Sequence, residues 1–182
     1  MNESVHPHEP DSPRTRDVLR HYIGDVVYGA NDGIVTTFTV VSGVAGAGLS
    51  PQVLLILGLV NIAADGFSMW ASSFLAIRST AAAEGRSRGI REPLAHGLAT
   101  FLAFALLGSI PLLSFLVPGF EGRASLVSAC LSGAALFAIG AIRSLVMKRI
   151  WLRCGGEMLL VGGIAAAAAY GIGALVAPVF KP

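Results

Sequence analysis

Five long apolar stretches, joined by short connections that hold most of the charge, constrain this chain more than any other feature. They run over residues 23–47, 51–77, 94–117, 124–147 and 158–179. A helix needs roughly 20 mostly apolar residues to cross a bilayer, and each stretch is long enough. Of the 182 residues 54% are hydrophobic and 13% are charged, about half the charge of an ordinary soluble domain. Mean hydropathy is +0.70. A soluble fold of this size has too little interior to hide so much apolar surface. A water-soluble enzyme, a disordered chain and a disulfide-stapled secreted domain are therefore excluded. The expected fold is all-α: a polytopic membrane protein of five transmembrane helices, with the lipid bilayer as its surroundings and no nucleic-acid partner.

The placement of basic residues orients such a chain. Arg14, Arg16 and Arg20 precede the first stretch. Arg78, Arg86, Arg88 and Arg91 surround the second connection, and Arg143, Lys148, Arg149 and Arg153 the fourth. With five crossings these eleven share one side, and only Arg123 and Lys181 lie on the other. Positive charge accumulates on the cytoplasmic side, so the N-terminus is expected in the cytoplasm and the C-terminus outside. An even number of crossings would spoil this asymmetry.

Local signals punctuate the stretches. Ser50-Pro51 reads as an N-cap serine followed by proline in the first turn, and Pro111 is placed to kink the third stretch. The 22 glycines suit close helix approach in lipid. Residues 1–20 hold three prolines, mixed charge and no apolar core, which reads as a disordered cytoplasmic tail rather than a cleavable signal. His6 and His8 lie in that tail. A single five-helix domain is then expected over 21–180, in the inner (plasma) membrane of a bacterium. Cys130, in an apolar run, reads as a packing residue and Cys154 as a loop-end residue; two such cysteines make no framework.

Ionisable groups at membrane depth are costly and need a reason. Asp25 and Asp32 are two helical turns apart and share a face, near Tyr28 and Asn31. Asp25 is either a wetted interfacial residue or part of a path; Asp32 lies deeper and is the stronger functional candidate. In the second stretch Asn61, Asp65, Ser68 and Ser72 form one polar stripe, which must face a bundle interior, a partner subunit or water. Met69 flanks it. Carboxylate and amide oxygens suit Mn²⁺ and Fe²⁺, and a thioether favours a transition metal over Mg²⁺ or Ca²⁺. Glu157 is expected at the start of the fifth helix, where the dipole favours a carboxylate. His21 and His96, near the cytoplasmic ends of the first and third stretches, are either wetted or proton-relaying.

At these residues the chain resembles a known family. Tyr28-Gly29-Ala30-Asn31-Asp32-Gly33 with the apolar run after it, and residues 61–69 with the core Ala-Asp-Gly-Phe-Ser-Met, resemble the first two helices of the vacuolar iron transporter family, which includes plant nodulin-like iron and manganese transporters. Residues 93–104 and 155–175 are similar to its third and fifth helices. The resemblance implies a homodimer of five-helix protomers moving Fe²⁺ or Mn²⁺ out of the cytosol, with proton antiport as the driving force. It maps the family's intramembrane aspartate onto Asp32 and its methionine ligand onto Met69. The metal is then a transported substrate, and no cofactor is expected. Two departures stand out. The long Glu-rich cytosolic insertion of many relatives is reduced to residues 79–92, and a Gly-Glu-Tyr after the methionine segment is replaced by Ser72-Ser73-Phe74.

The expected function is thus divalent metal transport for homeostasis and detoxification. Asp32 and Met69 would be metal ligands, with Asp25, Asn61, Asp65, Ser68, Ser72 and Glu157 in the ion path or its proton coupling. Two other readings are an intramembrane aspartyl protease using Asp32 and Asp65, which lacks a Gly-x-Gly-Asp motif, and a non-transporting membrane subunit, which leaves the polar stripe unexplained.

Overall fold

A computed structural model describes residues 15–85, 89–120, 122–147 and 149–180. Among these residues the chain is helical with no strand: α1 (Thr15–Gly46), α2 (Pro51–Ala83), α3 (Arg91–Gly108), α4 (Ile110–Leu116), α5 (Ala124–Met147) and α6 (Trp151–Phe180). His6, His8, Arg14, Arg86, Arg88, Lys148 and Lys181 lie outside the described residues.

The helix ends follow from local chemistry. α1 stops where Gly48 takes φ +63°, with Leu49 N–H donating to the Val44 carbonyl and Gly48 N–H to the Ala45 carbonyl. This 6→1 and 5→2 pair of bonds needs a left-handed residue, which glycine adopts without steric cost. Two residues later Ser50 caps α2, its Oγ accepting weakly from Val53 N–H at 3.5 Å, and Pro51 supplies the first turn. The turn is so short that α1 and α2 must run antiparallel. Pro111 breaks the third stretch as expected. It has no N–H to donate and its ring excludes a straight continuation, so the chain passes from α3 to α4 through Ser109. Ser109 Oγ donates to the Ala105 carbonyl at 2.6 Å, and across the bundle Ser128 Oγ of α5 donates to the Pro111 carbonyl at 2.7 Å.

Three expectations shift. α1 begins at Thr15, so residues 15–20 belong to the helix rather than to a disordered tail. α6 begins at Trp151, well before Met158. Arg153, Cys154 and Glu157 are therefore helical; Glu157 sits beyond the first turn, where the dipole no longer favours it. The cysteines exchange roles: Cys130 is exposed, while Cys154 is buried within α6.

α1 is the centre of the bundle, packing against every other helix and most extensively against α3. Its Ala30, Ile34, Thr37, Val41 and Val44 are all buried, a stripe with helical spacing. The stripe joins two clusters: Ala30 and Ile34 meet Ala103, Leu136, Ile139 and Met158, while Val41 and Val44 meet Leu54, Ile62 and Leu112. Lipid tails are as apolar as leucine, so close packing rather than the hydrophobic effect holds helices together in a bilayer. The α1–α3 seam shows how close. A Cβ on Gly29 would lie 2.3 Å from the Thr100 carbonyl oxygen, and one on Gly33 2.3 Å from that of Phe104. The two backbones touch where those glycines stand.

Four runs are long and apolar enough to cross a membrane: Pro51–Ala83, Arg91–Leu116, Ala124–Ser144 and Trp151–Val179. The chain is an integral membrane protein, and its outward faces match: Leu160, Ile164, Leu175 and Val179 of α6 and Ile56, Val60 and Leu75 of α2 are exposed. α1 has 32 residues, about 48 Å of helix, which exceeds a bilayer core of about 30 Å. Polar residues keep it out of the apolar set, and the apolar helices surround it.

Candidate functional site

The close α1–α3 contact and the α1–α2 turn together place one polar face of α1 between α2 and α3. Asp32 and Asp65 lie equally far along their helices from that turn, so antiparallel pairing brings them to one level. Asp25 lies seven residues before Asp32, about 10 Å nearer the N-terminal end of α1. There a cavity of about 360 Å³ is lined by Asp25 and Tyr28 of α1, by Ser68, Met69, Ser72, Ser73 and Ala76 of α2, and by Thr100 of α3.

The structure thus brings Met69, Ser68 and Ser72 to Asp25. Asp32 and Asp65 stand outside that lining, next along the same helices. Asp25 is not simply wetted. Its Oδ2 lies 2.5 Å from His96 Nδ1, and the His96 ring packs on Tyr22 with centroids 4.7 Å apart. Thr100 Oγ1 donates to the His96 carbonyl one turn away. An aspartate and a histidine 71 positions apart are joined because the Gly29 and Gly33 contacts bring α1 against α3. His96 was visible in sequence as a residue near a membrane boundary; its partner was not. Tyr28 and Thr100, as walls of the cavity, were not singled out as site residues, although Thr100 is one turn beyond His96.

Among the described residues Asn61 Nδ2, Asn31 Oδ1 and Thr37 Oγ1 are buried without a hydrogen-bond partner. Thr36 and Thr39 differ, because each hydroxyl donates back to its own helix, to the carbonyls of Asp32 and Thr36, both at 2.6 Å. Asn61 lies one turn beyond Asp65 on the α2 stripe. Glu157 is exposed on α6 and lines none of this region. Among the described residues no three His, Cys, Asp or Glu side chains gather as a metal-binding group. A cation here would meet a carboxylate, hydroxyls and a thioether in a row, a set suited to weak transit rather than tight storage.

The chain is similar to known proteins over most of its length. The VIT family matches residues 23–92 and 83–174, almost the whole described bundle. This chain belongs to that family. The first VIT match holds α2 and all of α1 that carries Asp25 and Asp32; the second holds α3 with His96 and nearly all of α6. Among relatives, vacuolar iron transporter homolog 4 of Arabidopsis thaliana is 24% identical over 182 residues, covering 92% of this chain and 91% of that protein. Vacuolar iron transporter homolog 2 of Oryza sativa subsp. japonica is 27% identical over 172 residues, covering 85% and 90%. A vacuolar iron transporter of Toxoplasma gondii is 50% identical over 48 residues, 26% of this chain. The matched stretch spans only 16% of the Toxoplasma protein, and 20% and 18% of two Plasmodium relatives.

Proposed function

We propose that this chain carries a divalent transition metal, Fe²⁺ or Mn²⁺, out of the cytosol. The observation that carries the reading is the row of donors between α1, α2 and α3: Asp25 with Ser68, Met69 and Ser72 around one cavity, and Asp32 and Asp65 at one level next along the same helices. Membership of the VIT family supports it, as do relatives named vacuolar iron transporters. In this reading α1 is the fifth crossing, with its N-terminus in the cytoplasm, as the distribution of arginines and lysines favours. Asp25 then faces the cytosol and receives the ion without the Glu-rich insertion that larger relatives carry. Asp32 and Met69 are its principal ligands, and Asn61 and Asp65 support the path.

Proton coupling follows from the donors. Carboxylates bind metal only when deprotonated, so metal and proton compete for Asp32 and Asp65. Protons arriving from the acidic side displace the ion. At the cytosolic end a divalent cation competes with His96 for Asp25. Two copies of the chain would line the path together. Ser68 and Ser72 are exposed at the cavity beside Asp25, and a second protomer would shield them from lipid.

The test is transport into proteoliposomes with Fe²⁺, Mn²⁺, Co²⁺ and Zn²⁺ offered in turn and a pH dye inside. Uptake of Fe²⁺ or Mn²⁺ with counterflow of protons is expected, and its loss in Asp32→Ala. Undiminished transport by that variant would remove Asp32 from the path. Asp32 and Asp65, at one level on neighbouring helices, are also candidates for a peptidase dyad; cleavage of membrane peptides that ceases in Asp65→Ala would favour that second reading.

A further inference from the structure

A second cavity, of about 530 Å³, opens on another side of α1. Ile23, Val27, Tyr28 and Asn31 of α1, Arg143 of α5 and Met158 of α6 are among its walls. Nothing in the transport reading uses it. Arg143 is half-buried at the end of the Ala124–Ser144 span, and among the described residues no carboxylate or hydrogen-bond acceptor stands against it. Asn31 Oδ1 is buried and has no donor. Among the described residues an unpaired cation therefore stands in a cavity whose other walls are apolar but for Tyr28 and Asn31. A half-buried arginine at the end of a membrane span favours an anionic neighbour, and a buried acceptor without a donor is costly.

We propose that this cavity is a binding site for an anionic phospholipid whose headgroup bears a hydroxyl, with phosphatidylglycerol as the defining ligand. The phosphate accepts the Arg143 guanidinium's hydrogen bonds, which suit its planar fork. The headgroup hydroxyl hydrogen-bonds the exposed part of the Asn31 amide, which lines the cavity. One acyl chain lies against Ile23, Val27 and Met158. Charge complementarity selects the occupant, since basic pockets between membrane helices on the cytoplasmic side fit anionic headgroups. Tyr28 also walls the Asp25–Met69 cavity, so an occupied lipid site would hold that ring in place from behind.

The test is binding, which is independent of whether metal is transported. Detergent-purified protein is titrated with phosphatidylglycerol and, separately, with phosphatidylcholine, and retained lipid is read by native mass spectrometry. Wild type and Arg149→Gln, which removes an exposed charge outside the cavity, should retain phosphatidylglycerol selectively. Arg143→Gln should weaken it by about tenfold or more, the worth of a charge-assisted hydrogen bond, and Arg143→Lys by less. Equal retention by wild type and Arg143→Gln would overturn the site. So would displacement of the lipid by millimolar inorganic phosphate, which would mark a soluble anion as the occupant. A photoactivatable phosphatidylglycerol needs no variant: crosslinks confined to residues 23–31 and 143–158 support the site, and crosslinks elsewhere overturn it.

Discussion

Replacing Gly33 by alanine tests the contact on which the candidate site is built. The added Cβ would stand 2.3 Å from the Phe104 carbonyl oxygen and 3.0 Å from the Phe104 Cα. Ordinary contact begins at 3.4 Å, so α1 and α3 must part by about 1 Å. Both obstacles are backbone, so no rotamer change relieves them, and overpacking of this kind costs about 1–3 kcal/mol. Gly163→Ala is the matched control. It is also mid-helix, but its Cβ would meet nothing within 4 Å, so the intrinsic preference of alanine for helix cancels between the two variants. At about 2–4 °C per kcal/mol for a chain of this size, Gly33→Ala should melt about 2–12 °C below Gly163→Ala in detergent, followed by tryptophan fluorescence. Metal transport should suffer more than stability, because the Asp25–His96 contact of 2.5 Å stretches past hydrogen-bond range once the helices part. Trimming Phe104 to leucine should not rescue the variant. Leu112→Val should rescue Gly58→Ala, whose Cβ meets only the Leu112 side chain, at 2.7 Å. If Gly33→Ala melts with Gly163→Ala and transports normally, the backbone contact does not position the site.

Three further outcomes follow from single groups. Met69→Leu keeps the volume but removes the sulfur, so Fe²⁺ or Mn²⁺ transport should fall several-fold while melting changes by less than about 1.5 kcal/mol; an unaltered metal panel would make Met69 a packing residue. His96→Ala leaves Asp25 without its ring partner and should destabilise the protein by about 1–3 kcal/mol; Asp25→Asn in the same background should then cost little more, and additive losses in the double variant would show the pair to be uncoupled. Ser128→Ala removes the hydroxyl that satisfies the Pro111 carbonyl, with an expected loss of about 0.5–1.5 kcal/mol in melting and no change in transport, since α4 and α5 stand apart from the donors.

Much of the architecture was legible because its causes are local. Ser50-Pro51 starts α2, and Pro111 interrupts the third stretch, because a cap and a missing N–H act on the adjacent turn. The α2 stripe from Asn61 to Ser72 was legible from helical spacing, and Ser68, Met69 and Ser72 do line one cavity. Errors arose where apolar character stood in for helix. Residues 15–20 and 151–157 carry charges that interrupt their apolar runs, yet they are helical, because hydrogen bonding continues a helix past the end of its apolar run. The sequence reading also treated Cys130 as packed and Cys154 as peripheral. Burial depends on which face meets a neighbour, and Cys154 lies where a Cβ on Gly140 would touch its carbonyl oxygen.

By itself, the sequence determined that this chain lives in a membrane, that it is helical, and that a few acidic residues sit where acid is costly. Each of these follows from solvation or from bonds within one turn. Only the tertiary structure decided that α1 lies at the centre, that Asp25 pairs with His96, that Met69 reaches Asp25's cavity, and that Arg143 and Asn31 wall a common space. Those pairings depend on how closely helices approach. In lipid that distance is set by steric fit between whole helices, as at Gly29 and Gly33 against Thr100 and Phe104, and spacing along one helix does not contain it.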